Sequence, residues 1–522
     1  MLTNSSESLL VTRKSVFSLG KLELRMGIVQ KDAFRTAVIS YLGVLLGYIN
    51  KGFLFIIILT QDQIGLVSLM ITVGTLFAQI ASFGTAFTTL KFFPFFKNHT
   101  TKHFGFFAFI LRIVLAGALA TTIGFILFKE LITSWYIEKS AAFIYYYWWV
   151  LPIGIGYLAY LVLEAYLRSF FKNILAVFAY EIVLRVGVLV SLMIYAMNWV
   201  SFDVFVKINA ILYIIPPIIL FYQLWKMDEL YLSMRSIAIS SRFKKIMYKF
   251  SFYNYFNSLG ASFVISLDVM MIAKMVGLQA TGIYATVIFI ASALLVPSRA
   301  LIRVSGPLVA EYWKSKDMKS MEQLYKNTSA ISLLIGLVGF LVVWLNIDLL
   351  FSFLKPEFHS GIWVFFAIMM GRLVDMYVGI TSIIFNTSKK FKYDIYFTIV
   401  LVGLVYFLNL WFIPMWGIVG AAISTAFSLI FYNIGRMIFL QVSFKLNPFE
   451  RNQFYVILLG VMTLLLGEYF GGMVDNLWVR AIIVTTLIGV LFALPIYFFK
   501  LESQSISYMK KGVKFISSKL KR

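Results

Sequence analysis

The feature that most constrains this chain is the recurrence of unbroken apolar runs of about 20 residues, the length a helix needs to cross a bilayer. Inside hydrocarbon the backbone must satisfy its own N–H and C=O groups, so such runs fold as helices. Strands of a membrane barrel would show segments of about 10 residues with alternating polarity. Of 522 residues, 61% are hydrophobic and 13% charged, whereas soluble domains carry about 25% charged residues. The mean hydropathy is +0.88. The fold class is an all-α polytopic membrane protein. Fourteen spans are expected, at 36–59, 64–87, 104–128, 141–164, 174–197, 205–225, 250–273, 280–302, 328–351, 361–386, 393–413, 417–440, 453–472 and 478–499.

The net charge of +23 lies mostly in short loops and the tail. That distribution points to topology and anionic inner-leaflet lipids, not to nucleic acid. Lys and Arg outside the spans number 34 on one side and four on the other: Lys129, Lys139, Lys274 and Lys355. The asymmetry places both termini in the cytoplasm. A basic stretch, 226–249, joins two similar halves. In the tail Ile506, Met509, Val513, Ile516 and Leu520 recur at helical spacing among lysines, a pattern suited to lying on the anionic leaflet.

The halves echo each other. Leu42-Gly43 matches Leu259-Gly260 at an offset of 217, and Gly65-Leu66 matches Gly282-Ile283 at the same offset. Both halves begin in the cytoplasm, so the repeat is parallel, and two six-helix lobes are a transporter plan. The expected organisation is a cytoplasmic segment 1–35, an N-lobe 36–225, the bridge 226–249, a C-lobe 250–440, two extra helices within 441–499 and the tail 500–522.

An ionisable group at mid-membrane costs about 2.5–3.5 kcal/mol and should face a partner or a wet cavity. Arg112 in span three has no acid nearby in its own helix and is the first candidate for substrate. Glu181 and Arg185 lie four apart in span five, and Arg372 and Asp375 three apart in span ten; either pair has the spacing to neutralise itself. Guanidinium groups suit phosphate oxygens, so Arg112, Arg185, Arg372 and Lys51 are the substrate-binding candidates. Lys51 and Asp268 occupy equivalent positions of the two halves. They are candidate gate residues, expected to form an outer latch. Arg299, Arg436 and Glu164 lie near cytoplasmic span ends and are expected to snorkel.

Other chemistry is sparse. There is no cysteine, and His99, His103 and His359 form no metal-ligand spacing, so no metal and no cofactor are expected. Tyr145-Tyr146-Tyr147-Trp148-Trp149 reads as an interfacial belt or a sugar-stacking surface. The turn from Gly154 to Ala159 mimics a dinucleotide fingerprint inside a span, without the required context. Gly43 and Gly47 form a small-xxx-small pattern for helix packing. No paired carboxylates or phosphate-cradling loop point to an enzyme.

Three stretches resemble bacterial polysaccharide flippases. They are Leu59-Thr60-Gln61-Asp62-Gln63-Ile64-Gly65-Leu66, Leu267-Asp268-Val269-Met270-Met271-Ile272 with Gly282-Ile283-Tyr284 and Val296-Pro297, and Ile413 through Thr425. Together they resemble the Wzx-type branch of the superfamily that includes MATE drug exporters and the lipid II flippase. The resemblance covers residues 26–499. It implies a multi-pass protein of the bacterial inner membrane that moves an undecaprenyl-diphosphate-linked oligosaccharide outward. Other polysaccharide assembly proteins would be its partners. A lipid II-type flippase and a drug exporter are the alternatives, with a membrane glycosyltransferase or ligase behind them. The acid that many MATE exporters carry in span one has no equivalent, since Lys51 stands alone there. The coupling ion is not legible.

Overall fold

The structure, a computed structural model, describes residues 35–36, 38–170, 172–232 and 241–498. The expected N-terminal segment, the middle of the bridge with Arg235, and the amphipathic tail lie outside the described residues. Among the described residues every element is a helix and no strand occurs.

Among the described residues thirteen helices are long and apolar enough to cross a membrane: α1 (Val38–Ile58), α2 (Gln61–Ser82), α3 (Lys102–Leu127), α4 (Tyr147–Ser169), α5 (Ile174–Ala196), α6 (Phe202–Lys226), α7 (Ser241–Met275), α8 (Leu278–Arg299), α9 (Met318–Trp344), α10 (Pro356–Tyr377), α11 (Phe391–Phe444), α12 (Arg451–Gly471) and α13 (Leu477–Ile496). At 54 residues, α11 would extend about 80 Å if straight, far beyond one bilayer. It is instead a helical hairpin. The chain turns at Gly417, with φ 57° and ψ −132°, three residues after Pro414. The arms then meet closely, since a Cβ on Gly420 would lie 2.5 Å from the carbonyl carbon of Phe412. Ser424 also donates to the Val405 carbonyl at 3.3 Å. Thirteen helices thus account for the fourteen expected spans.

Several boundaries shift for local reasons. The bridge is partly helical, because Ser241–Lys249 continues directly into α7. Helix α9 starts at Met318, not 328, where Asp317 caps it by accepting from the Ser320 N–H at 3.0 Å, a favourable arrangement for an acid. The polar stretch 303–327 is expected to be too polar to span. It is largely helical, with Val296–Ser315 extending α8.

The chain divides into two compact units. One holds the chain up to Phe53, Phe77–Phe128 and Trp148–Tyr255; the other holds Leu54–Leu76, Lys129–Tyr147 and the chain from Phe256 on. In the first unit Phe93 is a hub, with the rings of His103, Phe106, Tyr166 and Phe170 centred 5.2, 5.7, 5.0 and 4.9 Å away. The second unit has one apolar cluster around Val309, Tyr325, Phe385 and Leu440, and another around Val264, Leu401, Val405 and Leu429. The aromatic run at 145–149 is no uniform belt. Tyr145 is exposed, whereas Tyr147 is fully buried beside Phe143.

The turn of α11 is testable. Nothing lies within 4 Å of a Cβ built on Gly417, so Gly417→Ala meets backbone strain alone, about 1–3 kcal/mol. Gly403→Ala, also in open space but in regular helix, should be neutral or stabilising by up to about 1 kcal/mol. Thermal unfolding of the purified variants in one detergent checks this. Equal melting temperatures would refute the strained turn.

Candidate functional site

In the first unit a polar cluster forms where α1 meets α5. Both helices depart from α geometry there. A π-turn spans Tyr48–Leu54 around Lys51, and another spans Ala179–Val183 around Glu181. Such turns widen a helix locally and often mark functional sites. Gly43 and Gly47 let the helices approach. A Cβ on Gly43 would lie 2.6 Å from the Glu181 Cβ, and one on Gly47 would run into the Arg185 guanidinium. The small-xxx-small pattern therefore seats a charged pair against a bare helix face. Arg185 donates to the Gly43 carbonyl, Asn50 donates to the Arg185 carbonyl at 2.8 Å, and Arg185 pairs with Glu181 at 2.5 Å. The pair is not sealed, each side chain remaining 26% exposed. One acid thus stands with two bases, Lys51 and Arg185, leaving a net positive site.

Beside it three tyrosines gather from α4 and α5. The rings of Tyr160 and Tyr180 stack at 4.6 Å, and those of Tyr157 and Tyr180 lie 5.7 Å apart. On the next turn of α4, Glu164 pairs with Arg168 at 3.3 Å. Glu164 is only 14% exposed, so it does not snorkel as expected. Arg112 lies on an exposed face of α3.

The second unit holds a buried acid. Asp268 is 3% exposed. Tyr284 donates to its Oδ2 at 2.5 Å, Thr425 to the same oxygen at 2.7 Å, and Asn409 to its Oδ1 at 2.8 Å. All the donors are neutral. A Lys51 latch would have to displace them. The Asn409 Oδ1 and the Ser428 Oγ are buried without a hydrogen-bond partner. A buried carboxylate among hydroxyl and amide oxygens is the donor set that hard cations take. Residues that could hold an ion are therefore Asp268, Asn409 and Thr425. Sequence reading singled out Asp268; Tyr284 and Thr425 lie in stretches that carry the family resemblance, whereas Asn409 carried no signal of its own.

Two further groups of charges in the second unit are paired. Arg436 and Asp394 meet at 2.9 Å with 3% and 4% side-chain exposure. Asn257 donates to Asp394 at 3.0 Å, and Arg436 donates to Ser382 at 3.2 Å. The expectation that Arg436 snorkels is overturned, since its guanidinium is held between Tyr432 and Phe385. Arg372 and Asp375 lie 3.6 Å apart within α10, and Asn433 donates to Asp375 at 3.2 Å.

Two histidines dismissed on spacing do converge, because the third member is distant in sequence. Ligand atoms of His99, His103 and Glu229 lie within 4.8 Å of one another. The Asn98 N–H donates to His103 Nδ1 at 2.9 Å, so Nε2 carries the hydrogen and donates to Glu229 at 2.6 Å. Metal-bound imidazoles instead donate through their second nitrogen. The geometry is that of a clamp on the segment after α6. It is held by a turn in which Lys102, His103, Phe104 and Gly105 all have positive φ.

No family model matches the chain, and no curated protein matches it. Solved structures do. A lipid II flippase, MurJ, in an inward closed conformation superposes with a TM-score of 0.67 at 13% identity, covering 89% of this chain and 98% of that one. An inward-facing multidrug resistance MATE transporter of the MOP superfamily gives 0.62 at 13% identity, covering 78% and 97%. The chain has the fold of MOP-superfamily transporters. A further transporter of this fold, from Pyrococcus furiosus and described by a reversed polarity of its binding pocket, gives 0.54 at 14% identity over 79% of this chain and 95% of that one.

The Asp394–Arg436 pair generates a stability prediction. Arg436→Met leaves a buried carboxylate uncompensated and should cost about 3–5 kcal/mol. Adding Asp394→Asn, which can still accept from Asn257, should recover most of that. Melting curves of the single and double variants decide it; a double variant no better than the single would show that the pair is not the source of the loss.

Proposed function

We propose that this protein is a flippase that carries a lipid-linked oligosaccharide diphosphate, on an undecaprenyl-type carrier, from the inner to the outer leaflet of the bacterial inner membrane, with both termini cytoplasmic. The observation that carries the reading is the net positive cluster of Lys51, Arg185 and Glu181 at the two π-turns. A partly exposed guanidinium and an ammonium within the membrane suit a diphosphate and repel a cationic drug. The fold likeness to a lipid II flippase extends over 89% of this chain, against 78% for the MATE exporter.

On this reading an apolar cavity in the second unit would take part of the lipid chain. A cavity of about 390 Å³ lies among α9, α10 and α12, lined by Leu333, Leu337, Phe340, Val374 and Leu464. Its polar end carries Glu450 and Gln453, where Tyr377 donates to Gln453 at 2.7 Å. Movement would be driven by a monovalent cation at Asp268, a buried carboxylate with amide and hydroxyl oxygens beside it. No nucleotide-binding loop offers an alternative energy source.

Deletion of the gene should cause one lipid-linked glycan to accumulate in the inner leaflet. Arg185→Ala and Lys51→Ala should each reproduce that accumulation at normal expression, with turnover reduced about 10-fold or more, the worth of a charge-assisted contact. Arg185→Lys should rescue in part. Arg112→Ala tests whether span three also contacts the diphosphate. An unchanged lipid pool after deletion would end the flippase reading.

The ion site makes a separate prediction. Asp268→Asn preserves the size of the side chain and removes its charge. In proteoliposomes it should abolish the stimulation of turnover by a Na⁺ or H⁺ gradient. Undiminished stimulation would remove Asp268 from coupling.

A further inference from the structure

One face of α4 carries Tyr157, Tyr160, Glu164 and Arg168. Spaced by three or four residues, they stand in one row along the helix. Tyr180 of α5 joins the row from the neighbouring helix. The three rings are close to parallel. Tyr157 and Tyr160 lie 6.2 Å apart at 18°, and Tyr160 and Tyr180 lie 4.6 Å apart at 21°. Gly156 fixes the base of this wall by letting α6 approach α4, since a Cβ there would lie 2.7 Å from the carbonyl carbon of Tyr213. These residues belong to the first unit, as do Lys51, Glu181 and Arg185.

The phenols are under-used by the protein itself. All three tyrosines are half-buried. The Tyr160 hydroxyl reaches the Ala176 carbonyl only at 3.5 Å, beyond the range of a normal bond. Among the described residues no group hydrogen-bonds the hydroxyl of Tyr157 or Tyr180. A phenol turned towards hydrocarbon forfeits its hydrogen bond. A row of such phenols therefore suits neither dry packing nor lipid tails, but a partner with hydroxyls of its own. Polar groups continue the row. Glu164 and Arg168 pair at 3.3 Å with 14% and 46% of their side chains exposed, so an acceptor and a donor stand side by side at the edge of the aromatic surface. Tyr180 is five residues from Arg185, about 7 Å along the helix axis. A group joined directly to a diphosphate held by Arg185 would lie beside Tyr180.

We propose that Tyr157, Tyr160 and Tyr180, with Glu164 and Arg168 at their edge, form the subsite for the first pyranose of the glycan, the sugar attached to the diphosphate. The inference rests on the flippase reading and names the groups that recognise the sugar. A pyranose presents a face of C–H groups and a rim of hydroxyls. Aromatic ring faces carry negative potential and attract C–H groups. A carboxylate beside a guanidinium can accept from one sugar hydroxyl and donate to the next. A bare lipid diphosphate would use the cations and leave the wall empty. The subsite thus makes the protein prefer the glycosylated carrier to the unglycosylated one.

The test separates sugar from diphosphate. Full-length protein in detergent is titrated calorimetrically with citronellyl diphosphate and with the same diphosphate carrying glucose, galactose or N-acetylglucosamine. The best glycosyl probe should bind about 10-fold tighter than the bare diphosphate, the worth of a few hydrogen bonds and a stacked face. Tyr157→Phe/Tyr180→Phe keeps the rings, removes two hydroxyls and should lower that preference about threefold. Tyr180→Leu removes a ring and should bring the probes to within about twofold of each other. Arg185→Ala should weaken every probe and leave the preference intact. A bare diphosphate that binds while no sugar adds affinity would overturn the subsite and leave the flippase reading standing. A glycosyl probe that binds where the bare diphosphate does not would sink the diphosphate contact and leave the subsite standing. A preference unchanged in both tyrosine variants, or tyrosine variants that weaken bare and glycosyl probes equally, would also overturn the subsite.

Discussion

An ion surrounded by hydrocarbon must be matched by an opposite charge, by hydrogen bonds or by water, and this requirement arranges most of the polar structure of the chain. Each of the three outcomes is present. Asp394 and Arg436 form a buried pair that is nearly inaccessible. Asp268 keeps its carboxylate buried by collecting three neutral donors. Glu181 and Arg185 stay a quarter exposed and share their surroundings with Lys51. The first is a stability device, because removing either partner leaves an unmatched charge. The other two leave something unfinished: an excess positive charge at one cluster, and at the other a buried carboxylate hydrogen-bonded only by neutral donors. Unfinished charge inside a membrane is what a transported ion or headgroup completes.

The repeat shows how one scaffold came to carry both signs. At the offset of 217, Gly43 against Glu181 becomes Gly260 against Thr398, and a Cβ on Gly260 would indeed run into the Thr398 methyl. Arg185 becomes Val402 and Gly47 becomes Val264, which belong to one apolar cluster. The helix contact is retained while its chemistry is exchanged. Lys51 and Asp268 are the extreme case, opposite charges at one repeat position, each set among different neighbours. A glycine at the crossing of two helices is tolerant of such exchange, because the backbone contact does not depend on which side chains surround it.

Much of the architecture was readable from the sequence. Helical class and span positions follow from run length, because lipid permits no other spanning backbone. The repeat was visible at Gly65 and Gly282, since glycine at a close crossing cannot be replaced by an arbitrary apolar residue. The ion pair at Glu181 and Arg185 was visible from spacing, four residues being one helical turn. Local geometry was less legible. The α11 hairpin is one continuous apolar stretch with a turn at Gly417, and the helical Ser241–Lys249 reads as a polar loop because charge patterning reports on the membrane boundary, not on where a helix stops.

What the sequence by itself determined is the set of properties that depend on residues close together along the chain: a membrane-spanning helical protein, its repeat, and the positions of its intramembrane charges. Only the tertiary structure decided what those charges do. Arg436 near a span end finds Asp394 across more than forty residues, His103 finds Glu229 across 126, and Asp268 finds Asn409 and Thr425 across 141 and 157. The physical reason is one of range. Helix formation and membrane insertion are governed by neighbours within a few turns, whereas the free energy of a buried charge is set by whichever groups the packing of distant helices brings to within about 3 Å of it.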